Sequence, residues 1–208
     1  MNNHPSAWLL KALVICALAV AVNFFVIVFR IHFQPPLFLG NVIFAAVTFA
    51  LGPVAGIAAV VAARVLRVLV LDDWAPFVIV SVIEMLVIGV LRPKIQRESW
   101  AQEPVFSSNR IIVVAYTFGK LFLLYVCCVF AASISGGIIE ILFYGIPSSS
   151  GSGSSAIRAL VTGLEQIGVH PFAASILSRI EVNLADRFLV VFGGYGISLL
   201  FRKWLGTR

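Results

Sequence analysis

Residues 179–187 read Arg179-Ile-Glu-Val-Asn-Leu-Ala-Asp-Arg187, and the chain continues as Phe-Leu-Val-Val-Phe-Gly-Gly-Tyr-Gly-Ile-Ser-Leu-Leu-Phe201 before ending the apolar run on Arg202-Lys203. As a helix, the stretch from Arg187 to Arg202 rises roughly 22 Å. The hydrocarbon core of a bilayer is about 30 Å thick. With Arg202 and Lys203 at one membrane surface, Asp186 and Arg187 lie inside the membrane, nearer the opposite side. Arg179, Asn183 and Arg187 step by four and share one helix face; Asp186 flanks it and Gly194 continues it. Ionisable groups at that depth are costly and face a bundle interior or a wet cavity. Two readings follow: a charge pair that locks helices together, or the lining of a ligand site.

The surrounding composition agrees with a membrane setting. Of 208 residues, 61% are hydrophobic and only 12% charged, and the mean hydropathy is +1.04. Several apolar runs approach the ~20 residues that span a bilayer as helix. This predicts an all-α polytopic membrane protein with one integral membrane domain over residues 1–208. The net charge of +6 flanks apolar runs, as orienting charges do, and is not a nucleic-acid footprint. Cys16, Cys127 and Cys128 sit in apolar runs and read as small hydrophobes. His4, His32 and His170 are scattered, so neither a metal site nor a cofactor is expected.

Outward from the organising stretch, six transmembrane helices are expected at about 7–30, 37–51, 53–71, 76–91, 110–146 and 170–205. The first run is too long for the apolar core of a signal peptide. It contains Ala17-x-x-x-Ala21, a small-residue pair that permits close helix approach. Pro35-Pro36 breaks the chain before the second helix. Gly52-Pro53 punctuates the second from the third, with Pro53 suited to a first helical turn. The third carries Arg64 and Arg67, and the fourth carries Glu84 at its middle, so an Arg64–Glu84 pair is expected across this hairpin. Pro93 is expected to end the fourth helix, opening a charged connector to Arg110. In the fifth, Ser133-Ile-Ser-Gly-Gly137 predicts a kink or an end near 133–137, with the segment bearing Glu140 either continuing the helix or folding back. Residues 147–155 are a Ser/Gly loop, and 156–168 an interfacial amphipathic helix with Arg158 and Glu165 on its polar side.

Six spans place both ends on one side. The connector at 92–110 and Arg202-Lys203 fall on that side, making it the cytoplasm by the positive-inside rule. A cell-membrane protein with cytoplasmic N- and C-termini is therefore expected. Asn41, Arg64, Arg67, Arg179, Glu181, Asn183, Asp186 and Arg187 then lie in the outer half, with Asn23, Glu84 and Lys120 deeper. Of these, Asn41, Arg64, Arg67, Arg179, Asn183, Asp186 and Arg187 are the expected substrate-binding residues, in a pocket open to the outside. Asn183 and Arg187 are expected to line it, and Asp186 to orient Arg187 or a neighbouring helix. No P-loop, H-E-x-x-H or G-x-S-x-G motif occurs, and no nucleophile–base pair is evident, so no catalytic residues are expected and the chain is read as a non-enzyme.

Six helices, Leu51-Gly52-Pro53-Val-Ala-Gly56 opening the third, and Asn183-Leu-Ala-Asp186-Arg187 in the last resemble the substrate-binding S component of energy-coupling factor (ECF) transporters. That family shows a Phe/Leu-Gly-Pro-x-x-Gly start to its third helix and an Asn-x-x-Asp-Lys-like motif in its sixth; Arg187 stands here where Lys is commoner. The resemblance implies an S-component-like bundle that captures a vitamin-like micronutrient from outside for an ATP-driven importer. The implied partners are a transmembrane T component, docked on the Ala17 and Ala21 face, and two ATPase subunits. The arginines favour an anionic ligand. The alternative is a non-transporting membrane sensor or scaffold module of the same fold.

Overall fold

The computed structural model describes residues 5–33, 40–71, 76–101, 110–144 and 155–206. All regular structure among them is helical. The elements are α1 (Pro5–Phe33), α2 (Gly40–Leu51), α3 (Pro53–Leu71), α4 (Val78–Ala101), α5 (Arg110–Tyr144), α6 (Ser155–Gln166) and α7 (Pro171–Phe188), then a π-helical turn (Leu189–Gly193) and α8 (Gly194–Leu205). Four segments are long and apolar enough to cross a membrane: Ser6–Phe29, Pro53–Leu71, Val114–Phe143 and Pro171–Leu205. Large apolar side chains cover the outside of the bundle, including Leu13, Phe25, Val54, Leu69, Val90 and Leu142. A water-facing surface does not carry apolar area on that scale, and the fold is that of an α-helical membrane protein.

The bundle is built around α2. Its residues Phe44, Ala45, Ala46, Val47, Thr48, Phe49 and Ala50 are all buried, and it packs against α1, α3, α4, the π turn and α8. A helix apolar all round belongs inside a bundle. Its alanines let neighbours approach: a Cβ on Gly194 of α8 would lie 2.7 Å from Ala45 Cβ, and one on Gly56 of α3 would strike the Thr48 hydroxyl. Gly52 ends α2 at φ 107°, a conformation L side chains rarely adopt, with its N–H donating to the Thr48 carbonyl at 2.9 Å. Pro53 then opens α3, and Gly89 of α4 accommodates the Pro53 ring. The Gly-Pro punctuation thus organises three helices, and α3 keeps the expected bounds of 53–71.

Other boundaries differ from expectation. Pro93 lies inside α4, which runs on to Ala101 instead of stopping at 91. Proline removes one backbone hydrogen bond and crowds the carbonyl four residues earlier. Beyond it Ile95 is 3% exposed and packs into the main core, which anchors the continuation. The Gly136–Gly137 pair does not end α5, which is helical from Arg110 to Tyr144 and includes Glu140. These glycines serve close packing instead: a Cβ on Gly137 would lie 2.7 Å from Ile176 of α7. The expected second-helix start at 37–39, the acidic turn at 72–75, the connector at 102–109 and the Ser/Gly loop at 145–154 lie outside the described residues.

The short helix α6 folds back on α7, burying Val161 and Leu164 against Ala174, Val169 and Val182. Gly168, at φ 88°, makes the turn between them. His170 then caps α7, its Nδ1 accepting from the Phe172 N–H at 3.3 Å. From Pro171 to Leu205 the chain is a 35-residue apolar rod, about 52 Å long at 1.5 Å per residue. Arg187 sits near its middle.

Candidate functional site

The rod presents Arg179, Asn183 and Arg187 along one face, all buried. Arg187 does not pair with its neighbour Asp186. Its partner is Glu84 of α4, which is 0% exposed. Arg187 Nη1 donates to both carboxylate oxygens, at 2.8 and 2.6 Å. Asn41 of α2 donates through Nδ2 to Glu84 Oε2 at 2.7 Å, and Ser81, one turn before Glu84, donates to Asn41 Oδ1 at 3.1 Å. On the other side Arg187 Nη2 reaches Asn183 Oδ1 at 3.4 Å, and Asn183 Nδ2 donates to the Ser133 hydroxyl of α5 at 2.9 Å. One connected layer therefore joins α2, α4, α5 and α7. Pairing and hydrogen bonding are what make such a buried charge tolerable. Asp186 is buried alongside, at 1% exposure.

A second layer lies two turns along α7. Arg179 Nη2 donates to Glu140 Oε2 of α5 at 2.8 Å, and the Ser175 hydroxyl donates to the same oxygen at 2.8 Å. The guanidinium also covers the Phe77 ring, 5.2 Å from its centroid, an attractive arrangement for a cation. Gly136 leaves the room: a Cβ there would be 3.3 Å from Arg179 Nη1.

Of the expected site residues, the structure brings Asn41, Asn183 and Arg187 into one network and puts Arg179 in the adjoining layer. Asp186 is adjacent, but the carboxylate that orients Arg187 is that of Glu84. The expected Arg64–Glu84 pair is replaced by Arg187–Glu84. Arg64 and Arg67 lie on α3, which packs on α1, α2 and α4 and not on α5 or α7. Glu84 shares the level of Asn41 and Arg187 and is not deeper than they are. Asn23 stands near that level too, donating to the Gly40 carbonyl at 3.0 Å. Lys120 lies 13 residues before Ser133 on α5, roughly 20 Å away, with its ammonium 4.1 Å from the Tyr116 ring centroid.

Sequence reasoning missed Ser81, Ser133, Ser175 and the part played by Glu140. The available signal was spacing. Ser133, Gly136, Gly137 and Glu140 fall three to four apart, a small and polar stripe on α5 matching the polar stripe on α7. Each arginine faces a carboxylate from another helix, Glu84 against Arg187 and Glu140 against Arg179.

Comparison of the chain with protein-family models, with curated proteins and with solved structures finds no match.

Proposed function

We propose that the chain crosses the membrane six times with both termini cytoplasmic, and captures a small molecule on its outer side as the S component of an ECF-type importer. The observation that carries this reading is the Glu84–Arg187–Asn183–Ser133 network. The two outer residues of the Asn183-x-x-Asp186-Arg187 stretch are buried and bonded to two other helices, with a third joined through Glu84. The basic residues Lys11, Arg92, Arg202 and Lys203 gather at the other end of the bundle, which supports a cytoplasmic assignment for that end. A T component and two ATPase subunits would supply transport energy. Ala17 and Ala21 are exposed on α1, opposite the buried Ile15, Ala19 and Asn23, which suits a docking face for the T component.

The pairing of both arginines refines the ligand class. Arg179 and Arg187 already face carboxylates, so an anion entering the layers would compete with Glu84 or Glu140. A neutral or zwitterionic molecule rich in hydrogen-bonding groups avoids that competition. Mass spectrometry of small molecules released from purified protein tests the reading. One species should be enriched over an Asn183→Ala preparation. Ala17→Leu/Ala21→Leu should abolish co-purification with T and ATPase subunits while leaving the melting temperature unchanged. Identical small-molecule content in both preparations, together with unaltered co-purification, would leave the sensor or scaffold reading. That second reading is favoured by the full occupation of both Glu84 oxygens.

A further inference from the structure

The end of the bundle where α2 finishes carries cations of its own, and neither polar layer uses them. Arg92 of α4 donates through Nη2 to the Ala50 carbonyl at 3.1 Å. Arg202 of α8 donates through Nη2 to the Phe49 carbonyl at 2.8 Å. Two guanidinium groups thus converge on adjacent carbonyls of one helix end, each half-buried. Gly52 makes room for them, since a Cβ there would lie 3.0 Å from Arg92 Nη1. The C-terminus of a helix carries about half a negative charge, which attracts both guanidinium groups. Lys11 of α1 adds a third at the same end, donating to the Trp204 carbonyl at 3.0 Å and lying over the Trp204 ring. Lys203 is exposed beside it.

The flanking residues define the surroundings. Trp8 and Trp204 are both partly exposed at this end, where amphipathic rings settle at the headgroup level of a bilayer. Leu10 and Leu200, adjacent in sequence to this rim, are more than 60% exposed (64% and 66%). Cations at headgroup depth, bordered by indoles and exposed leucines, match a ligand with an anionic head and apolar tails. We propose that the cationic end of the bundle formed by α2, α4 and α8 binds the phosphate headgroup of an anionic phospholipid, with Arg92 and Arg202 on the phosphate and Lys11 and Lys203 at the rim. Basic pockets between helix ends recognise headgroups in this way. The site is independent of the substrate reading and requires only that the protein sits in a bilayer.

Native mass spectrometry of the full chain in detergent tests it, with phosphatidylglycerol and phosphatidylcholine of identical acyl chains added in turn. Wild-type protein should retain phosphatidylglycerol preferentially, and sodium phosphate should not displace it. Each cation near a headgroup is worth about fivefold, so Arg92→Gln/Arg202→Gln should lower phosphatidylglycerol affinity roughly twentyfold, to the phosphatidylcholine level. Arg92→Lys/Arg202→Lys should keep most of the preference, and Lys120→Gln, remote on α5, all of it. If the glutamine pair fails to fold, Lys11→Gln and Lys203→Gln read the rim instead, each weakening phosphatidylglycerol by a few-fold. Equal retention of the two lipids, or a preference that survives loss of these charges, overturns the proposal. Displacement by sodium phosphate also overturns it and marks a site for a soluble anion.

Discussion

Arg187 and Glu84 show what a buried pair contributes and what it costs. Removing one partner leaves the other charged and buried, at about 3–5 kcal/mol. Arg187→Met and Glu84→Leu should each lower thermal stability in detergent by that order. The double variant should recover most of the loss, because an apolar pair of similar volume is often neutral or better. Recovery should stop short by about 1–3 kcal/mol, since Asn41 loses its acceptor on Glu84. Additive losses in the double variant would show that the two residues do not act as a pair. Asn183 gains a structural role that its sequence position does not convey. It accepts from Arg187 and donates to Ser133, so Asn183→Ala should cost stability by about 1–3 kcal/mol as well as any ligand affinity. A variant with unchanged melting temperature would place Asn183 outside the packing network. The face shared by residues 179, 183 and 187 was legible from spacing alone. Their partners were not: Glu84 and Arg187 stand 103 positions apart, and local pattern carries no information about which distant carboxylate meets which arginine.

At the scale of elements, glycine decides where helices touch. Gly194→Val should disrupt the crossing of α2 and α8, because even a Cβ would come within 2.7 Å of Ala45 and 3.1 Å of the Val42 carbonyl. Over-packing of this kind costs about 1–3 kcal/mol. Gly119→Ala on α5 is the matched control: nothing lies within 4 Å of the added Cβ, and alanine is the better helix former by about 1 kcal/mol. Melting temperatures should fall for the first and hold or rise for the second. A common fall would mean that helix propensity and contact geometry do not govern these positions. The Gly52-Pro53 boundary was readable because its chemistry is local: a positive φ and a first-turn proline. The passage of α4 through Pro93 was not, because the burial of Ile95 that sustains it is tertiary. Gly136 and Gly137 misled for the same reason, reading as a break where they admit a neighbour.

For the whole molecule, apolar composition was sufficient to establish the helical membrane class, while the number of crossings rests on a further argument. The α2 helix has 12 residues, about 18 Å at 1.5 Å per residue, and by length alone it would not cross a bilayer. Its enclosure by α1, α3, α4 and α8 gives it a place within the bundle that length does not. The proposed six-crossing topology predicts the pattern of cysteine labelling in a background where Cys16, Cys127 and Cys128 are replaced. Ser152→Cys, outside the described residues, should react with an impermeant thiol reagent added to intact cells. Gln96→Cys on α4 should react only after the membrane is opened. The reverse pattern would invert the topology and move the polar layers to the cytoplasmic half.

The capping of α2 also constrains the order of assembly. The Phe49 carbonyl accepts from Arg202, 153 positions later, and the start of α1 is tied through Lys11 to Trp204, 193 positions away. A chain emerging from the ribosome therefore carries its central helix without the Arg202 contact at its end until α8 is inserted. The newborn protein cannot close its own middle before its final helix arrives. A stop codon just before Arg202 should accordingly yield a product that membrane proteases clear, even though α1 to α7 have already been made.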